Sequence, residues 1–226
     1  MSPTSPPRRI PVDKRRLATQ VANELRDLIL TGGLQTGDQL KIVALAEELG
    51  LSTQPVREAL LHLSIEGFVV GDPHKTLLVA PITLDDIRDV YLVHGFVSGV
   101  LAERAAKSLT ESDIDALEKL AAECERELGE RHSASASKLN TEFHHLISSS
   151  SGDHFLTTVL SDTVEYLSDQ SYDHHFDGQM AAAAEHMAII DALRKGDGPR
   201  ARKLVMQHTE QAGELTIAHY RSIQKF

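Results

Sequence analysis

Between Leu40 and Val70 the chain packs two short amphipathic segments, a glycine turn and the start of a hairpin into about thirty residues, which predicts a winged helix-turn-helix. Ile42, Leu45, Ala46 and Leu49 fall on one stripe of a first helix, and Gly50 follows where a left-handed helix end favours glycine. Ser52 then stands where an N-cap oxygen is wanted, and Pro55 falls in the first turn of a second helix. Val56, Ala59, Leu60 and Leu63 repeat at core spacing, which leaves Thr53, Gln54 and Arg57 on the opposite face near the helix start. Those three are placed to meet base edges or phosphates in a major groove. Past Gly67, Phe68-Val69-Val70, a polar turn from Gly71 to Thr76 and Leu77-Leu78-Val79 read as a two-stranded wing. In that turn His74 and Lys75 are candidates for DNA contact, although a solvated role suits His62 and His74 equally well.

A net charge of −10 argues against nucleic acid only until it is divided by position. Residues 1 to 80 carry nine basic and nine acidic groups, so the excess acid belongs wholly to the remainder. Arg8, Arg9, Lys14, Arg15 and Arg16 form a basic arm ahead of the first helix, with Arg15 and Arg16 suited to phosphate contact. A single cysteine, Cys124, excludes an internal disulfide framework. No signal peptide and no apolar run near twenty residues are evident, so a cytoplasmic protein without a membrane partner is expected.

From Thr83 the punctuation becomes helical. Thr83 to Asp86 and Thr110 to Asp113 read as capping boxes, each opening a long helix. Helices are expected near 84–107, 111–130, 135–150, 154–171, 179–195 and 199–223, with a break at Tyr172 to Gly178. The fold class is therefore mainly α. A flexible tail (1–11) precedes a winged domain of three helices and a two-stranded wing (12–80), Ala80-Pro81-Ile82 links the domains, and an all-α antiparallel bundle of about six helices follows (83–226).

Four polar residues on three of these helices carry chemistry. Asn140 and His144 are four apart on one face, while His186 and His208 lie along apolar stripes that point to a common interior. Buried imidazoles need partners, and one divalent ion would serve all three, zinc or nickel by ligand type, with the amide oxygen filling a further position. Glu142 and Glu185, next to these residues in sequence, are expected to point away. His145 is turned about 100° from His144, and His174-His175, in an acidic stretch, reads as an exposed loop, with an adventitious metal site or a pocket rim as the alternatives.

The run Leu51 to Leu60, with Leu63 and Glu66-Gly67-Phe68, resembles the signature of the GntR family of bacterial transcription regulators. Leu25-Arg26, Ile29, Gly32-Gly33 and Gly37 are similar to its first helix and loop. The chain departs where members usually have arginine, here Thr53, and a glycine near the wing tip, here Thr76, so Arg57 alone keeps the basic role. Leu139 to His145, Glu185 to Ile189 and Ala201 to His208 resemble three motifs of the FCD effector-binding domain of the FadR-type branch. In metal-containing members these motifs supply one aspartate and three histidines, and Asn140 stands at the aspartate. His94 stands where relatives often have arginine, which implies an effector-binding place without a fixed cation, unless His94 is protonated or a metal does that work.

A homodimeric regulator, more in keeping with a repressor than an activator, is therefore expected. It would bind an inverted-repeat operator in double-stranded DNA and answer to a small-molecule effector, a carboxylate metabolite, held beside the metal. Two alternatives stay open: a metal-dependent enzyme using the three histidines, and a regulator that is metal-free or senses the metal itself.

Overall fold

The computed structural model describes residues 14–72, 76–152, 154–166 and 176–223. The tail expected over 1–11 lies outside them. Helix α1 (Lys14–Leu30) is followed by the short pair α2 (Ile42–Glu48) and α3 (Thr53–Ile65). Because α1 begins at Lys14, three of the five basic residues read as an arm belong to a helix. Between α2 and α3, Gly50 takes a φ of 66°, and the Leu51 N–H donates back to the Ala46 carbonyl at 2.8 Å. That closure needs a left-handed residue, which glycine adopts without a Cβ clash.

Ser52 is the N-cap of α3 with extended backbone, yet its hydroxyl makes no cap bond, contrary to expectation. Pro55, at the third helical position, removes one of the two N–H groups such a cap can use. The wing pairs β1 (Val69–Asp72) with β2 (Thr76–Val79) in antiparallel register, Val69 opposite Val79 and Asp72 opposite Thr76. The loop before α2 also lies along β2: the Leu40 N–H donates to the Leu77 carbonyl at 2.8 Å, and the Val79 N–H to the Asp38 carbonyl at 3.0 Å. One edge of the wing is thereby covered.

Beyond the wing come α4 (Leu84–Ala105), α5 (Glu111–Gly129), α6 (Ser133–Ser149), α7 (His154–Tyr166), α8 (Phe176–Arg194) and α9 (Gly198–Ile223). Both expected capping boxes form, Thr83 with Asp86 and Thr110 with Asp113. Helix α8 starts earlier than its expected 179, so Phe176 to Gly178 is helix and not break. Gly178 does not stop it, since one interior glycine costs only about 1 kcal/mol. The part of α7 expected beyond Tyr166 lies outside the described residues.

Phe143, Ile189, Ile190, Leu193 and Val205 form the buried centre of the bundle. The core of the winged half does not stop at the link. Ala80 and Ile82 are buried, and Ile82, Ile87, Ile217 and Tyr220 join the cluster that holds Leu25, Leu60 and Phe68. Helices α4 and α9 thus run from the bundle into the winged half, and they touch along most of their length. A Cβ at Gly99 would come within 2.7 Å of Met206 Cγ, and one at Gly213 within 2.8 Å of Tyr91 Cγ.

Candidate functional site

On α3 the burial follows the expected stripe, with Val56, Ala59, Leu60 and Leu63 inside and Thr53, Gln54 and Arg57 exposed. Gln54 is tied to its own helix, its Nε2 donating to Glu58 Oε1 at 2.7 Å. Arg57 is therefore the cationic group at the outward-facing start of α3. Arg15 and Arg16 lie in the first turn of α1, with nothing described of their side chains, and His74 and Lys75 lie outside the described residues.

In the bundle, α6, α8 and α9 bring His144, His186 and His208 together, one ring nitrogen from each lying within 4.8 Å of the others. The Nε2 atoms of His144 and His208 are 3.1 Å apart. Two imidazole nitrogens that share one ion at about 2.1 Å each would stand at nearly this separation. His186 is fully buried, stacks on Phe143 at 4.2 Å between centroids, and has no hydrogen-bond partner for either ring nitrogen. One turn before His144, the amide oxygen of Asn140 is likewise buried and unpartnered. Unsatisfied buried polar atoms are costly, so three convergent imidazoles, with a buried amide oxygen one turn from His144 on the same helix, fit a divalent cation.

Electrostatics agree. Burial, reinforced by the neighbouring His208, pulls His186 down to about 3, and burial followed by His208, His186 and His94 holds His144 well below the ordinary imidazole range. Neutral rings are what a metal requires.

His94, on α4, faces the same interior. Its Nδ1 lies 3.0 Å from the Thr163 hydroxyl, which itself donates to the Leu160 carbonyl, so His94 is the donor of that pair. Burial, then His208, lowers it to about 4. The ring is therefore neutral at pH 7 in the ligand-free protein.

Two side chains escaped the sequence reading. Thr163 orients His94 from α7, where nothing in a threonine mid-helix announces it. Glu185, expected to point away, instead accepts from His208 Nδ1 at 2.9 Å. The reason is that α9 packs beside α8, so a carboxylate one position off the buried stripe reaches across to the neighbouring helix. Glu142 does face solvent near Lys138, and His145 is exposed, both as expected. A second grouping joins half-buried Glu127 to exposed Glu130 and His132, with Arg126 paired to both carboxylates.

The family model for bacterial regulatory proteins of the gntR family matches residues 17–79, and that for the FCD domain matches residues 89–211. The HTH-type transcriptional regulator YdhC of Bacillus subtilis (strain 168) is 24% identical over 195 residues, spanning 84% of this chain and 86% of that protein. The HTH-type transcriptional repressor RspR of Escherichia coli (strain K12) is 24% identical over 198 residues, 86% of each. Among solved structures, E. coli McbR/YncC shares the fold with a TM-score of 0.70 at 20% identity, covering 90% of this chain and 98% of that one. With a winged helix-turn-helix in front and an FCD domain behind, the chain belongs to the GntR family: it is a DNA-binding transcription regulator, not an enzyme.

Proposed function

We propose that this regulator is a homodimeric repressor whose residues 12–80 bind an inverted-repeat operator and whose residues 83–226 hold a divalent metal, zinc or nickel, with a small carboxylate effector beside it. The observation that carries the metal is the convergence of His144, His186 and His208 around unpartnered buried atoms. His144, His186 and His208 are the ligands, and Asn140 offers its carbonyl oxygen. When bound, the ion supplies the positive charge for an effector carboxylate that neutral His94 cannot. His94, donating to Thr163, keeps its Nε2 free to accept from an effector hydroxyl or amide. A repressor sign is in keeping with the printed name of RspR. A dimer follows from the short half-site that one winged unit reads, which a two-fold protein doubles. Such a regulator works in the cytoplasm, and no described helix is long and apolar enough to cross a membrane.

The test combines elemental analysis with DNA-shift titration. Replacing any one of the three histidines by alanine should lower metal content and blunt the response to small acids while leaving ligand-free operator binding intact. Asn140→Asp should tighten metal binding by adding an anionic oxygen. Metal content indifferent to all three histidine changes would sink the site. A metal-free wild type that still answers a small acid would favour direct effector binding.

A further inference from the structure

The proposed ligand set, three imidazoles and an amide, is neutral, and the carboxylate that touches it comes from a residue that is not itself a ligand. Glu185 Oε2 sits 2.9 Å from His208 Nδ1, while the other nitrogen of the same ring, Nε2, sits 3.1 Å from His144 Nε2. A carboxylate accepts and does not donate, so the hydrogen of a neutral His208 must be on Nδ1. Its Nε2 lone pair is then directed at the cluster. His208 is 7% exposed against 29% for Glu185, so the hydrogen bond runs from a buried ring to a half-buried carboxylate. Sequence adjacency divides the work on α8: His186 turns inward onto Phe143, and Glu185 reaches across to α9.

We propose that Glu185 is a positioning residue. It fixes His208 as the Nδ1–H tautomer, holds the ring with Nε2 facing His144, and gives the neutral ligand set a negative charge one hydrogen bond away. The part of this that concerns the ion rests on the metal reading above. Carboxylates behind a ligating imidazole raise its basicity, and their loss weakens metal binding about 10–100-fold.

Glu185→Gln tests it, because an amide can present either oxygen or N–H to His208 and carries no charge. Glu142→Gln, which removes an exposed carboxylate on α6, controls for bulk charge. In full-length, chelator-treated protein, the ring-nitrogen NMR spectrum should show the Nδ1–H form of His208 in wild type and a mixture in Glu185→Gln. Titration with Zn2+ alone should then give affinity about 10–100-fold weaker for Glu185→Gln, with Glu142→Gln at the wild-type value and the melting temperatures of the metal-free proteins matching. Equal zinc affinity in wild type and Glu185→Gln, or an Nε2–H form in wild type, overturns the proposal. Failure of wild type to bind zinc is a separate result: it overturns the metal reading and the charge role of Glu185, and the tautomer assignment is then judged on the nitrogen spectrum alone.

Discussion

At the scale of single residues, the two halves of the chain set opposite demands on charge. Arg57 must stay solvated and cationic, and its exposed place at the start of α3 allows it. Arg57→Ala should weaken specific operator binding by about 1–3 kcal/mol without changing the melting temperature; an unchanged footprint affinity would mean that α3 is not presented to the groove by this face. Burial instead holds His94, His144 and His186 neutral, and that has a pH signature. In the unfolded chain they take protons near pH 6.5, whereas His94 is held to about 4 and His186 to about 3 in the fold. The unfolded state therefore binds protons first, so their contribution is complete above pH 6.5 and is lost as pH falls toward 4. The slope is up to about 1.4 kcal/mol per pH unit for each histidine. Melting temperature of chelator-treated protein should drop steadily between pH 6.5 and 5, and less steeply in His186→Phe; a flat profile in wild type would show that the rings are not buried as described. His144, His186 and His208 could be picked out in the sequence because each lies on an apolar helical stripe, where a polar ring needs a reason. Glu185 could not, since its role depends on which helix packs beside α8, a fact no helical period encodes.

At the scale of elements, helix starts and stops were legible wherever they rest on local chemistry, as at Gly50 and the capping boxes of Thr83 and Thr110. Ser52 was the instructive exception: the residue type suited a cap, but Pro55 three positions on removes one of the two N–H groups a cap can take, and no cap bond forms. What holds α1 to the end of α3 is non-local. Arg26, 3% exposed, makes a forked ion pair to Glu66 at 2.7 and 3.1 Å, donates to Asn23 at 2.8 Å and lies 5.8 Å from the centre of the Phe68 ring. Arg26 and Glu66-Gly67-Phe68 appear in the sequence as two separate stretches of family resemblance, and the fold shows them to be one contact. Arg26 is buried but Glu66 keeps 24% of its side chain exposed, so Arg26→Ala loses charge-assisted hydrogen bonds and packing without fully stranding a charge and should cost about 2 kcal/mol. Arg26→Met with Glu66→Leu should recover most of that loss by exchanging the pair for apolar contact. Urea unfolding of the full chain reads both; a loss below about 1 kcal/mol for Arg26→Ala would place this pair with ordinary surface bridges.

At the scale of the whole molecule, the proposed function requires that an event among the bundle histidines change how the winged half is held, and α4 and α9 are the elements common to both. His94 and His208 sit midway along them. About one turn from His94, Tyr91 donates its hydroxyl to Thr216 at 2.7 Å, since the Thr216 hydroxyl is itself spent on the Ala212 carbonyl. Beyond that bond, Ile87 on α4 and Ile217 and Tyr220 on α9 enter the core that contains Leu60 of α3. The sequence marked Ala80 to Ile82 as a link and gave no hint that the end of the last helix returns to the first domain, because Ile217 and Tyr220 fit an ordinary amphipathic stripe. Burial raises the Tyr91 phenol above its usual range, so it stays a donor throughout the physiological interval. Tyr91→Phe keeps the ring against Gly213 and removes only the bond between the two helices. The stability cost should be about 1 kcal/mol, and ligand-free operator affinity should stay within twofold of wild type. The ratio of operator affinities with and without effector should shrink, because a polar tie between these packed helices at this level is lost and part of a coupling of typically 1–3 kcal/mol is no longer transmitted. Operator titrations of wild type and Tyr91→Phe, each with and without zinc and a saturating small acid, measure that ratio directly. An undiminished ratio would exclude the Tyr91–Thr216 bond as a carrier of the signal.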